Sequence, residues 1–166
     1  MPILPIIHYP NPILKTPCDT LRKELPGVEQ LIKDMQDTLM AYPFCVGLAA
    51  PQVGSLLRIV VIDCSRSRKP CKHHGNLVLI NPVIIYRAGE QVMREGCLSL
   101  PDYTGNVKRP DAVVVEGLDS DEIPQKIETE GFEAVVLQHE IDHLDGILFL
   151  DRITSLKTDV FRRKTY

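Results

Sequence analysis

The stretch EGFEAVVLQHEIDHLDG, residues 130–146, decides how this chain folds. Phe132, Val135, Val136, His139 and His143 recur at i, i+3, i+4, i+7 and i+11, the spacing of one helix face. Val135 and Val136 are β-branched and pull the same window toward a strand. The length of the pattern and the Asp145-Gly146 stop favour a helix that ends near Gly146. The strand-like segments lie mostly before this helix and are not interleaved with others. The expected class is therefore α+β, with mixed or antiparallel strands packed around a C-terminal helix.

Upstream, LRIVVID (57–63) and LVLINPVII (77–85) are rich in β-branched residues and read as strands. DAVVVEGLD (111–119) and PQKIET (124–129) read as two more, paired as a hairpin around DSDEI. GVEQLIKDMQDTLMA (27–41) follows Pro26 and places Val28, Leu31, Ile32, Met35 and Leu39 at helical spacing, an amphipathic helix. YPFCVGLAAPQVG (42–54) reads as irregular, and CSRSRKPCKHHGN (64–76) as a polar loop. No repeat or low-complexity linker interrupts the chain, so residues 1–166 are expected to form one domain.

Composition sets the surroundings. Charged residues make up 25% and hydrophobic ones 44%, an ordinary globular balance, and the net charge of -3 argues against a dedicated nucleic-acid binder. No apolar run approaches the roughly 18 residues that a membrane helix needs. MPILPIIHYPNP has no basic stretch before its apolar residues and is broken by prolines, unlike a signal peptide. Cysteines at 18, 45, 64, 71 and 97 form an odd set without CxxC spacing, which suits a reducing compartment. A cytoplasmic protein without membrane association is expected.

HEIDH (139–143) places two imidazoles on one helix face, able to reach one metal ion, with Glu140 beside it as a candidate general base. Two ligands do not complete a site. The longer HExxHxxGxxH pattern is followed through Gly146 but has Phe149 at the third histidine. No glutamate follows Glu140, and Asp145, Asp151 and Asp159 do not fall one or two turns along the same face. The third ligand must come from upstream. One source is the loop holding Cys64, Cys71, His73 and His74, whose spacing matches no zinc knuckle and whose basic character suits a solvated connection. The other is Cys97 in EGCLSLP (95–101), a segment that alternates like a strand and ends at Pro101. Cys97 beside the two histidines would leave a fourth position open, as catalytic sites do; alternatively it is a small buried hydrophobe.

GLAAPQVG (47–54), EGCLSLP (95–101) and QHEIDHLDG (138–146), in this order and at these separations, resemble the three motifs of bacterial peptide deformylase. ILPIIHYPNPIL near the start and LFLDRI after the helix extend the likeness over essentially the whole chain. The family usually has glycine where Cys45 stands. The resemblance implies hydrolysis of the N-formyl group from the initiator formyl-methionine of nascent peptides, releasing formate. It implies Cys97, His139 and His143 as ligands to Fe2+, with Zn2+, Ni2+ or Co2+ as substitutes, and Glu140 as the proton carrier. It further implies Gln52 and the Leu98 N–H as oxyanion donors. Val46, Gly47, Met93, Val135 and His139 would lie at the substrate channel and methionine pocket, and Glu95 would pair with Arg109 to fix the Cys97 strand. A different small zinc peptidase, and a metal-binding module built on the Cys64–His74 loop, are the rival readings.

SLKTDVFRRKTY (155–166) sets Lys157, Arg162, Arg163 and Lys164 against Asp159, a net of +3 in a chain of -3. Leu156, Val160 and Phe161 give a short helix one apolar edge. Its cations complement the helix dipole or, as the resemblance implies for deformylases that dock by a C-terminal helix, make weak contact with the ribosome. A monomer is expected.

Overall fold

The computed structural model describes residues 2–23 and 25–164. Strand β2, Ile59–Asp63, has no polar side chain before Asp63 because both of its faces are covered. It pairs antiparallel with β1, Gly47–Ala49, and with β3, Asn76–Ala88. Strands β4, Gln91–Cys97, and β5, Leu100–Arg109, form a separate hairpin. Strand β6, Ala112–Leu118, pairs with β3 and with β7, Pro124–Glu130, to complete a five-stranded sheet ordered β1-β2-β3-β6-β7. One face meets α1, Val28–Ala41, where Ile59, Val61 and Leu48 pack on Ile32, Met35 and Leu39. The other meets α2, Phe132–Leu144, where Val60, Ile62, Leu79 and Val115 pack on Val136, Leu137, Ile141 and Leu144. The hairpin gains a third strand, β8, Val160–Arg162, and closes a smaller core of Leu14, Cys97, Leu100, Val107, Leu148 and Phe149.

The α+β class and the helix over the decisive stretch are both observed. The stripe within that helix is not. Every residue from Glu133 to Leu144 is buried, so α2 is a central helix with no solvent face. Glu133, Gln138, Glu140 and Asp142 are thus interior polar groups that require partners. Helix α2 stops as the sequence indicates. Gly146 takes φ +72°, its N–H donates to the His143 carbonyl at 3.2 Å, and the Ile147 N–H reaches back to Asp142 at 2.9 Å. This is the paired Schellman closure.

Three readings need correction. Residues 42–54 are not wholly irregular, since Gly47–Ala49 form an edge strand too short to show alternation. EGCLSLP does not end a strand at Pro101; β4 ends at Cys97, and Leu100 already begins β5 across a turn at 98–99. The C-terminal stretch is a turn followed by β8, not a helix, because pairing to β5 satisfies the backbone of Val160–Arg162 and half-buries Val160 and Phe161. The last two residues of that stretch lie outside the described residues. No described helix is long and apolar enough to cross a membrane.

The helix stop yields a stability prediction. A Cβ on Gly146 would lie 2.6 Å from the Lys15 carbonyl oxygen, in addition to the cost of a positive φ. Gly146→Ala is expected to lower unfolding free energy by about 2 kcal/mol or more, read as a reduced urea midpoint at unchanged slope. A midpoint equal to the parent's would show that this contact does not constrain the helix end.

Candidate metal centre

Cys97 ends β4, and His139 and His143 project from one face of α2. One ligand atom from each can be chosen so that all lie within 4.8 Å of one another, and all three residues are buried. The Cys97 Sγ is 3.4 Å from His143 Nε2. His139 Nδ1 lies 2.8 Å from Glu95 Oε1, which leaves Nε2 available to an ion. Burial holds His143 well below the usual imidazole range, so it keeps a neutral ring and a lone pair. Burial also pulls on His139, but its bonds to Cys97 and Glu95 prevail and hold it above that range. One thiolate and two imidazoles at this separation suit a divalent transition metal, whose bonds to such donors are about 2.0–2.3 Å.

Among the described residues no other such cluster forms. The Cys64–His74 loop does not converge on an ion. His74 is directed instead to the buried Glu133 carboxylate, through its backbone N–H at 2.7 Å and its ring at 2.6 Å. Nor is the loop only a solvated connection, because Arg66 donates to the carbonyls of Leu39 and Cys45 at 2.7 and 2.8 Å.

The donors are held by a buried ionic network. Arg109 donates to Glu95 at 2.6 and 3.0 Å and to Asp142 at 2.8 Å, and Arg152 donates to Asp142 at 2.8 and 3.1 Å. The Glu95–Arg109 pair expected from the motifs is therefore present and interior: Arg109 is 4% exposed and Glu95 6%. A surface pair is worth under about 1 kcal/mol, whereas losing one partner of a buried network costs about 3–5 kcal/mol.

Gln52 is fixed at both ends of its amide. Its Oε1 accepts from the Ala49 N–H at 2.9 Å, which turns Nε2 toward Cys97 Sγ at 3.3 Å and Ser99 Oγ at 3.2 Å. Leu98 occupies the adjoining turn. Glu140 is buried, its Oε2 has no hydrogen-bond partner, and burial pushes its carboxyl up to about 7. A Cβ on Gly47 would come within 2.6 Å of Glu140 Oε1, so this glycine makes room for the carboxylate. Gly47 also lines the cavity onto which these groups open.

A cavity of about 630 Å³ opens onto these groups, walled by apolar Val46, Phe132, Val135 and Val136. Met93 does not line it. Four residues back along an extended strand lies about 13 Å from Cys97, and Met93 lines an adjoining cavity of about 730 Å³ that shares Phe44, Val46 and Phe132. Cys45 lines the first cavity, yet burial pushes it up to about 12, so it remains a thiol and a poor ligand. Sequence reasoning missed Ser99, Asp142 and Arg152, and also Phe149, whose ring stacks on His139 at 6.1 Å. Only Asp142 carried a signal: an acid inside HEIDH on a helix with no solvent face has to find a cation.

The family model for polypeptide deformylase matches residues 3–159. The peptide deformylase of Syntrophobacter fumaroxidans is 44% identical over 99% of this chain and 94% of its own length. A crystal structure of a peptide deformylase from Legionella pneumophila superposes with a TM-score of 0.84 at 38% identity, covering 94% of this chain and 89% of that one. That of Synechococcus elongatus, solved in complex with actinonin, superposes at 0.83 and 34% identity, covering 95% and 82%. Likeness of this extent, in sequence and in structure, means that the chain belongs to the polypeptide deformylase family.

Proposed function

We propose that this protein removes the formyl group from the N-terminal formyl-methionine of nascent peptides, releasing formate. The observation that carries the reading is the convergence of Cys97, His139 and His143 beside Glu140 and the Gln52 amide at one cavity. Cys97, His139 and His143 would hold the ion, which we assign as Fe2+, with Zn2+, Ni2+ or Co2+ as substitutes. When bound, a divalent ion supplies Lewis acidity, polarising water and the scissile carbonyl.

The chain's own residues supply the rest. Glu140, with a carboxyl near neutrality, takes a proton from the attacking water and returns it to the leaving amine. The Gln52 Nε2 and the Leu98 N–H donate to the oxygen that gains charge, each worth about 3–4 kcal/mol in the transition state. The apolar wall of Val46 and Val135 takes the methionine side chain, at about 0.8 kcal/mol per buried methylene. Strands β1 and β4 are both edge strands, and residues 43–47 and 94–98 both line the cavity. An extended peptide backbone fits between them by adding to a free edge.

We assign ribosome contact to the exposed Lys157, Arg162 and Lys164, because Arg163 turns into the cavity. We assign the protein as a monomer that acts in the cytoplasm.

Glu140→Ala is expected to keep metal content near the parent's while abolishing release of formate from a formyl-methionyl peptide. Loss of metal as complete as in His139→Ala would reassign Glu140 as a ligand. Protein purified without oxygen is expected to carry about one equivalent of iron and to lose activity in air, because a thiolate-bound ferrous ion is open to oxidation. The nickel form should persist, and equal survival of the iron form in air and under argon would refute the assignment. Replacing Lys157, Arg162 and Lys164 together by glutamine should weaken ribosome co-sedimentation at low salt, with a parental log-log salt slope of about -2 to -3. An unchanged pellet would remove the ribosome contact.

A further inference from the structure

We propose that Arg163 is a specificity-determining residue that binds a carboxylate on the peptide just downstream of the formyl-methionine, so that chains with an early acidic residue are preferred substrates. The proposal rests on the deformylase reading above.

The placement follows from the way the C-terminal strand docks. Tyr103 pairs with Arg162 and Thr104 with Phe161, and the Arg163 N–H donates to the Asp102 carbonyl at 2.8 Å, extending the ladder past β8. Successive side chains on such a strand point to opposite faces. Arg162 is exposed, and Arg163 lines the cavity that holds Cys97 and Leu98. Its guanidinium lies over Gly96, where any Cβ would run into Nη2, so the glycine beside Cys97 keeps a space that this arginine fills.

The guanidinium is unmatched there. Its Nε is buried without a hydrogen-bond partner, and among the described residues Arg163 makes no ion pair. Two carboxylates line the cavity. Glu95 is taken by Arg109 and His139, and Glu140 packs against Gly47. Arg94, the other cation on this wall, stacks 3.6 Å above the Phe161 ring and donates to Asn106 at 3.1 Å. The wall therefore presents two guanidinium charges, neither of them ion-paired with a carboxylate among the described residues. A planar guanidinium with unmet donors at a half-buried position matches a carboxylate in charge and in fork geometry.

The test uses the iron- or nickel-loaded full chain and C-terminally amidated formyl-methionyl tripeptides carrying Glu or Gln at the second or third position. The parent is expected to favour the Glu peptide at one of these positions by about fivefold in kcat/KM, the difference lying in KM because the carboxylate is remote from the reacting carbonyl. In Arg163→Gln the Glu-to-Gln ratio should fall to about one, and Arg163→Lys should keep part of it. Arg162→Gln removes the same charge from the exposed face and should leave the ratio as in the parent. Equal kcat/KM for Glu and Gln peptides in the parent, or a ratio that survives Arg163→Gln, overturns this inference while deformylation itself stands. No deformylation of any peptide by the loaded parent overturns the deformylase reading and this inference with it.

Discussion

The charge on Arg109 lies inside the protein, and the candidate site is arranged around it. One guanidinium on β5 joins Glu95 on β4 to Asp142 on α2, and Asp142 is also held by Arg152 in the turn that follows. A cation buried to this degree is tolerable only when carboxylates answer it, and those carboxylates are tolerable only with the cation present. The second sheet and α2 are thereby fixed to each other at the point where Cys97 and the histidines must meet. The network also reaches the donors. The Glu95 oxygen that accepts from Arg109 lies 2.8 Å from His139 Nδ1, so one carboxylate sets both the strand and the orientation of the imidazole.

Helix α2 shows what this arrangement costs. A helix buried on all sides is ordinarily apolar, yet this one carries Glu133, Gln138, His139, Glu140, Asp142 and His143 into the interior. Most are answered by a specific group: Glu133 by His74, Gln138 by the Pro110 and Ala134 carbonyls, and Asp142 by two arginines. His143 Nδ1 has no hydrogen-bond partner, and of the three carboxylates on this helix Glu140 is the exception. Its Oε2 has no partner, and the carboxylate is packed against a glycine that leaves it just enough room. An unanswered buried carboxylate is driven toward the neutral form, which suits the proton-carrying role proposed for Glu140.

Much of this was legible in the sequence. The i, i+4 histidines with Glu140 between them announced the helix and the convergence of two imidazoles, because that spacing has a direct geometric meaning. Ile59–Ile62 announced a strand, since four consecutive apolar β-branched residues fit little else. What remained hidden was whatever depends on distant pairing. The three-residue β1 has too little length to show alternation, and β8 carries a helix-like spacing that pairing to β5 overrides. Arg152, Ser99 and Arg163 reach the site only because three cores fold against one another, and no local pattern distinguishes them from surface residues. Met93 illustrates the opposite error. The resemblance placed it at the methionine pocket, but four residues along an extended strand carry it into the adjoining cavity.

The C-terminal strand bears on how the cavity can stay open. A free strand edge near an apolar wall is ordinarily hazardous, because it invites pairing with another chain. Here the edge of β4 that does not pair with β5 faces a cavity, and the opposite side of the sheet is occupied by β8. Had β8 formed a helix, β5 would have presented a second free edge. Strand β8 closes that edge, and Arg94 on β4 stacks across onto its Phe161 ring, so the short strand is tied to both members of the hairpin. The edge of β4 beside Cys97 stays open, bordered by residues 43–47 and by the guanidinium of Arg163. The unpaired backbone of this edge lies beside the cavity, where the proposed peptide backbone would add to it.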